Sequence, residues 1–167
     1  MKQDLVRRLV GFVIIVLVQS LVCNNIHLFG YATPLLYTYF VYTFSRNQPR
    51  WAILLWCFVL GMTIDTFSNT PGLTASTLTF AGMLQPYVLE IFMSRDHAEN
   101  FEPTFETMGW IKYPTYLLMQ LLPFCLLFFA IESFSFFDWQ HWIICSASSF
   151  ALTFVLILAI DNVKTRK

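Results

Sequence analysis

The sequence predicts an all-α membrane protein with six transmembrane helices and both termini on the cytoplasmic side. Three observations predict it. Hydrophobic residues make up 57% of the 167 and charged residues 12%, whereas a water-soluble domain carries about a quarter charged residues. The apolar runs are continuous instead of alternating, and too long for tilted membrane strands. The ten Lys and Arg fall into four clusters: Lys2, Arg7 and Arg8; Arg46 and Arg50; Arg95 and Lys112; Lys164, Arg166 and Lys167. Two candidate spans separate each cluster from the next, and the connection inside each pair of spans holds no Lys or Arg. Short translocated loops are depleted of both. The hairpins therefore face outward, and the clusters stay in the cytoplasm. Six helices of about 20 residues take about 120 positions, so one polytopic domain over residues 1–167 is expected. Net charge is zero and the bases are one-sided; membrane lipid is the expected surrounding, and nucleic acid is not an expected partner.

Span one is placed at residues 9–22, behind a basic start. It has the outline of a signal sequence but no small-x-small cleavage site, so it reads as an uncleaved helix. Span two, 31–44, is short and rich in Tyr and Thr. It is needed because Arg46 and Arg50 would otherwise lie outside. Span three, 51–65, starts at Trp51, and span four, 73–93, carries Pro86 as an expected kink. Span five, 113–134, carries Pro123, and span six, 142–160, ends at Asp161. Trp51, Trp110, Trp139 and Trp142 fall at predicted boundaries, as an aromatic belt does. Cys23, Cys57, Cys125 and Cys145 form no C-x-x-C pair and read as small hydrophobes.

The densest run of unusual residues is Gly61 through Asp65 to Ser68, Asn69, Thr70, Pro71 and Gly72. A straight helix from Trp51 reaches Asp65 after about 21 Å, short of a hydrocarbon core of about 30 Å. An unpaired carboxylate there is costly. Either the bilayer thins, the Asp65–Gly72 segment dips inward as a polar turn, or Asp65 faces the bundle and is hydrogen-bonded. Asp65 then fixes the hairpin or contacts a partner. Gly61, Gly72, Ala75, Ser76, Ala81 and Gly82 are small enough for close helix approach.

Elsewhere the chemistry is sparse. Glu90 is expected to snorkel or to pair with Arg95. His27, His141, Glu132 and Asp138 reach the outer side without metal-ligand spacing. There is no G-x-S-x-G, Walker or dinucleotide glycine pattern. No enzyme, cofactor or metal is indicated. The 94–112 segment is acidic yet carries Phe101, Phe105, Met108 and Trp110. It either lies on the interface by its aromatic side or docks a cytoplasmic protein through Phe101, Phe105 and Trp110.

Leu60 through Asp65, followed by Ser68-Asn69-Thr70-Pro71-Gly72-Leu73, resembles the best-retained segment of the rod shape-determining MreD family. Asn24 to Pro34 and Leu84-Gln85-Pro86-Tyr87 agree with that likeness, which covers about residues 5–163. The resemblance implies a non-enzymatic scaffold of cell elongation and peptidoglycan synthesis in the bacterial inner membrane. It implies an MreC-like bitopic protein, an MreB-like actin filament, and RodA with its transpeptidase as partners. It also implies a fold similar to the S-components of vitamin importers. Substrate binding of that kind is the alternative, but residues 9–18 lack the A-x-x-x-A face of those proteins.

Overall fold

The computed structural model describes residues 2–21, 33–45, 48–92, 103–133 and 139–165, with the side chains of 2–7, 105, 139–141 and 164–165 excepted. Six helices follow in order: α1 (Lys2–Leu21), α2 (Thr38–Tyr42), α3 (Arg50–Ser68), α4 (Leu73–Phe92), α5 (Phe105–Ser133) and α6 (Trp139–Thr165). No strand occurs among the described residues. Among the described residues, three stretches are long and apolar enough to cross a membrane: Arg50–Ser68, Glu106–Ser133 and Trp142–Val163. The apolar part of α1, Arg8–Leu21, is shorter. In α4, Thr74, Ser76, Thr77, Thr79, Gln85 and Glu90 dilute the apolar character.

α3 packs against α4, α4 against α5, α5 against α6 and α1 against α3, while α2 touches α1, α4 and α5. Apolar side chains cover much of the surface, and a set of polar ones lies inside among the apolar core. Leu9, Val13, Leu55, Phe58, Met62, Met83, Ile91, Leu118, Leu122, Ile144 and Val155 are exposed. Gln19, Asp65, Thr74, Thr77, Gln85, Gln120, Ser149, Thr153 and Asp161 are buried. Soluble monomers do not expose apolar surface on this scale. Hydrocarbon as solvent would favour this arrangement, because polar groups must then find partners inside.

Span two is corrected. Of residues 33–44, only Thr38–Tyr42 is α-helical. Pro34 has no amide hydrogen and pushes Thr33 away from helical backbone. The Thr33 and Leu35 amides donate instead to Ser149 Oγ and Thr153 Oγ1, both over 3.1 Å. Gln19 Nε2 donates to the Pro34 carbonyl at 3.0 Å, and Gln85 Nε2 to the Phe44 carbonyl at 3.0 Å. Irregular backbone at membrane depth is tolerated only when protein satisfies it in this way. Leu35, Tyr37, Thr38, Val41, Tyr42 and Phe44 are all buried, so an apolar run that resembles a lipid-facing helix is in fact the centre of the core.

This inner segment runs opposite to α1. Pro34 meets Gln19 near the end of α1, and the Phe44 ring lies 5.2 Å from the Arg8 guanidinium carbon near its start. Arg50, at the start of α3, lies 5.1 Å from the Tyr87 ring near the end of α4. The Tyr39 hydroxyl donates to Asp161 Oδ1 at 2.9 Å, near the end of α6, and Tyr113 stands beside the same carboxylate near the start of α5. Arg8, Arg50 and Lys112 thus share one end of the bundle.

α1, α3, α5 and α6 start before their expected spans, whereas α4 starts at the expected Leu73. α3 continues past Asp65 to Ser68, and α5 starts within the segment read from sequence as a loop. Gly109 (φ 78, ψ 174) breaks α5 after its first turn, in a backbone region essentially closed to residues with a Cβ. α4 stays helical through Pro86. One residue before the carbonyl that Pro86 leaves without its helical donor, the Ala81 carbonyl accepts Gln120 Nε2 at 2.7 Å.

Candidate functional site

Asp65 is 4% exposed and ties together the two helices on either side of the α3–α4 turn. Its backbone carbonyl accepts the amides of Asn69 and Thr70, which closes α3. Asn69 adopts the left-handed conformation (φ 56) at this stop, the usual geometry for a helix C-terminus. The Asp65 side chain opens α4. Oδ1 accepts the Thr74 amide at 2.8 Å and the Thr70 hydroxyl at 3.2 Å. Oδ2 accepts the amides of Gly72 and Ala75, each at 3.0 Å. The first amides of a helix have no partner within it, and Gly72, just before α4, has no side chain to cap them. Asp65 supplies the missing cap from the preceding helix, with its negative charge at the positive end of the α4 dipole.

The turn itself follows from its residues. Pro71 sets φ for the second position, and Gly72 (φ 86) takes the third, where positive φ is required. The Leu73 amide closes it onto the Thr70 carbonyl at 3.3 Å. Gly61 lies one helical turn before Asp65 on the same face. A Cβ added there would meet Ala75 Cα at 2.4 Å and Ala75 N at 2.7 Å. The missing side chain lets the first turn of α4 come near enough for Asp65 to reach its amides. Further along the same seam, a Cβ on Gly82 would meet Cys57 Sγ at 2.6 Å.

The chain therefore holds a Gly61–Asp65 clasp. No family model, curated protein or solved structure matches the chain. What the clasp is rests on its own geometry.

Of the candidate residues, Gly61 and Asp65 are buried, Ser68 is half-buried, and Asn69, Pro71 and Gly72 are exposed. Beside them Met62 and Phe67 also face outward. The clasp is thus a buried joint beneath a short exposed rim. The second group falls largely outside the described residues. Trp110 is 77% exposed and Met108 is buried, while Phe101 and the Phe105 side chain lie outside the described residues. Arg95, His27 and Asp138 also lie outside them, as does the His141 side chain; Glu132 is exposed. Among the described residues no group of His, Cys, Asp and Glu is arranged to hold a metal.

Sequence reasoning missed the interior polar set that holds the inner segment. Its signal is a stripe on α6: Ser146, Ser149, Thr153, Ile157 and Asp161, all buried. Steps of three and four keep these residues on one helix face. Ser149, Thr153 and Asp161 each bind the 33–39 segment. Polar residues at helical spacing inside an apolar span mark the face that meets irregular backbone.

Proposed function

We propose that the chain crosses the bacterial inner membrane six times, with both termini in the cytoplasm, and is a non-enzymatic scaffold of the cell-elongation machinery. In this reading it supports peptidoglycan synthesis and rod shape beside an MreC-like bitopic protein, an MreB-like filament, and RodA with its transpeptidase. The basic end of the bundle is the cytoplasmic end, and the inner segment 33–45 is the second crossing. The carrying observation is the clasp. The Gly61–Gly72 residues that define the likeness to the MreD family build a rigid joint whose carboxylate is occupied by four donors. Such a joint presents Met62, Phe67, Asn69 and Pro71 at the outer end in a fixed shape for a partner's membrane-proximal segment.

The test separates rim from joint. Phe67→Ala removes an exposed ring, and Asn69→Gly removes an exposed amide while keeping the left-handed backbone, so both variants are expected to fold while losing co-purification with the MreC-like partner and rod shape. Asp65→Asn is expected to lose both together with stability. Rim variants that keep the partner and the cell shape would overturn the scaffold assignment at this face.

A further inference from the structure

At the basic end, a cleft of about 180 Å³ lies between the start of α3 and the end of α4. Arg50 and Glu90 line it with opposite charges, Ser45 and Gln48 add polar groups, and Ile53 and Leu89 form an apolar wall. Arg50 is held in place: its guanidinium carbon is 5.1 Å from the centroid of the Tyr87 ring, and Nη1 donates to the Tyr87 hydroxyl at 3.2 Å. A guanidinium has five N–H donors, and among the described residues Tyr87 takes the one hydrogen bond from it. Glu90 is exposed. Among the described residues, no ion pair joins it to Arg50.

The level of the cleft identifies the medium it opens to. Arg50 is the first residue of a helix of membrane-spanning length. Trp51, Tyr87 and Ile91 are exposed nearby at 70%, 47% and 66%. Aromatic residues with a cation at the start of a span mark the headgroup layer, where acyl chains can lie along the apolar helix faces below. A cation and an anion lining one small cleft match a ligand with an anion and a cation a few bonds apart. Phosphate oxygens accept from guanidinium, and a primary ammonium donates to carboxylate. A choline group has no N–H and cannot donate to Glu90.

We propose that this cleft binds the headgroup of an amine-bearing zwitterionic phospholipid of the phosphatidylethanolamine kind, with phosphate on Arg50 and ammonium on Glu90. The site is independent of the scaffold reading.

Purified full-length protein is placed in nanodiscs of phosphatidylethanolamine, phosphatidylcholine and phosphatidylglycerol with identical acyl chains. Lipid retained after detergent extraction is counted by native mass spectrometry. Wild type is expected to retain ethanolamine over choline lipid by about tenfold, the size of one charge-assisted hydrogen bond. Glu90→Gln brings that ratio to about one, Arg50→Gln lowers retention of all three lipids, and Glu90→Lys turns the preference to phosphatidylglycerol. Glu90 is exposed, so its variants remain informative if Arg50→Gln fails to fold. Equal retention of ethanolamine and choline lipids by wild type would overturn the site, as would an unchanged ratio in both Glu90 variants. Displacement of the lipid by millimolar free phosphoethanolamine would overturn its assignment to membrane lipid.

Discussion

The Thr74 amide donates to Asp65 Oδ1 over 2.8 Å, across nine positions of sequence and a reversal of chain direction. A carboxylate on α3 thereby does for α4 what a local capping residue does in most helices. The arrangement makes the turn a single unit, because the same residue accepts the amides that end α3.

Asp65→Ala leaves the buried Thr74 and Ala75 amides without their acceptor, and the part-buried Gly72 amide with them. The expected loss is about 2–4 kcal/mol of stability, read as a lower thermal midpoint in detergent by size-exclusion loss. Asp65→Asn keeps one acceptor oxygen and should fall between alanine and wild type. An alanine variant as stable as wild type would remove the clasp from the account of this fold.

The glycines separate space from backbone conformation. Gly61→Ala drives a methyl into the Ala75 backbone, which cannot rotate away, and should cost about 1–3 kcal/mol or more. Gly72→Ala meets nothing within 4 Å but keeps φ 86, for a loss of about 1–2 kcal/mol. Gly11 has open space in mid-helix and no positive φ, so Gly11→Ala should be neutral or stabilising by up to about 1 kcal/mol. Thermal midpoints of the three variants test that order.

Ser149→Ala combined with Thr153→Val removes the acceptors of the Thr33 and Leu35 amides. Each orphaned amide should cost about 1–3 kcal/mol. Hydrogen exchange should rise at residues 33–37 before it rises in α3 or α4. Unchanged protection there would mean that these two bonds do not hold the inner segment.

The proposed six crossings would place Gln48 and Asn69 on opposite sides of the membrane. With Cys23 and Cys145 replaced by Ser, a membrane-impermeant maleimide should modify Asn69→Cys in intact spheroplasts, and Gln48→Cys only after permeabilisation. The reverse result, or both labelled from outside, would refute the six-span orientation.

Much of this architecture is readable from composition and periodicity. The strongly apolar runs near residues 51–65, 113–134 and 142–160 coincide with the three stretches long enough to cross a bilayer. Their ends were not readable to the residue, because hydropathy fixes a minimum length while caps decide the stop: Asn69 ends α3, and Gly109 interrupts α5. Asp65 facing the bundle was one of the outcomes its depth allowed. The convergence of donors from Thr70, Gly72, Thr74 and Ala75 was not, since it depends on Gly61 admitting α4. The inner segment was misread because Tyr, Phe and Val suit a lipid-facing helix and a buried irregular stretch equally well. Pro34 was the local sign, and the residues that complete it lie more than 100 positions away.

That separation has a consequence for biogenesis. Thr33 and Leu35 leave the ribosome well before Ser149 and Thr153, which follow 116 and 118 residues later. At about 5–20 residues per second of synthesis, their amides wait roughly 6–24 s for their acceptors. During that interval the nascent chain must shelter residues 33–37 in the translocon, in water or against an insertase. The first hairpin of this protein is completed by its last helix.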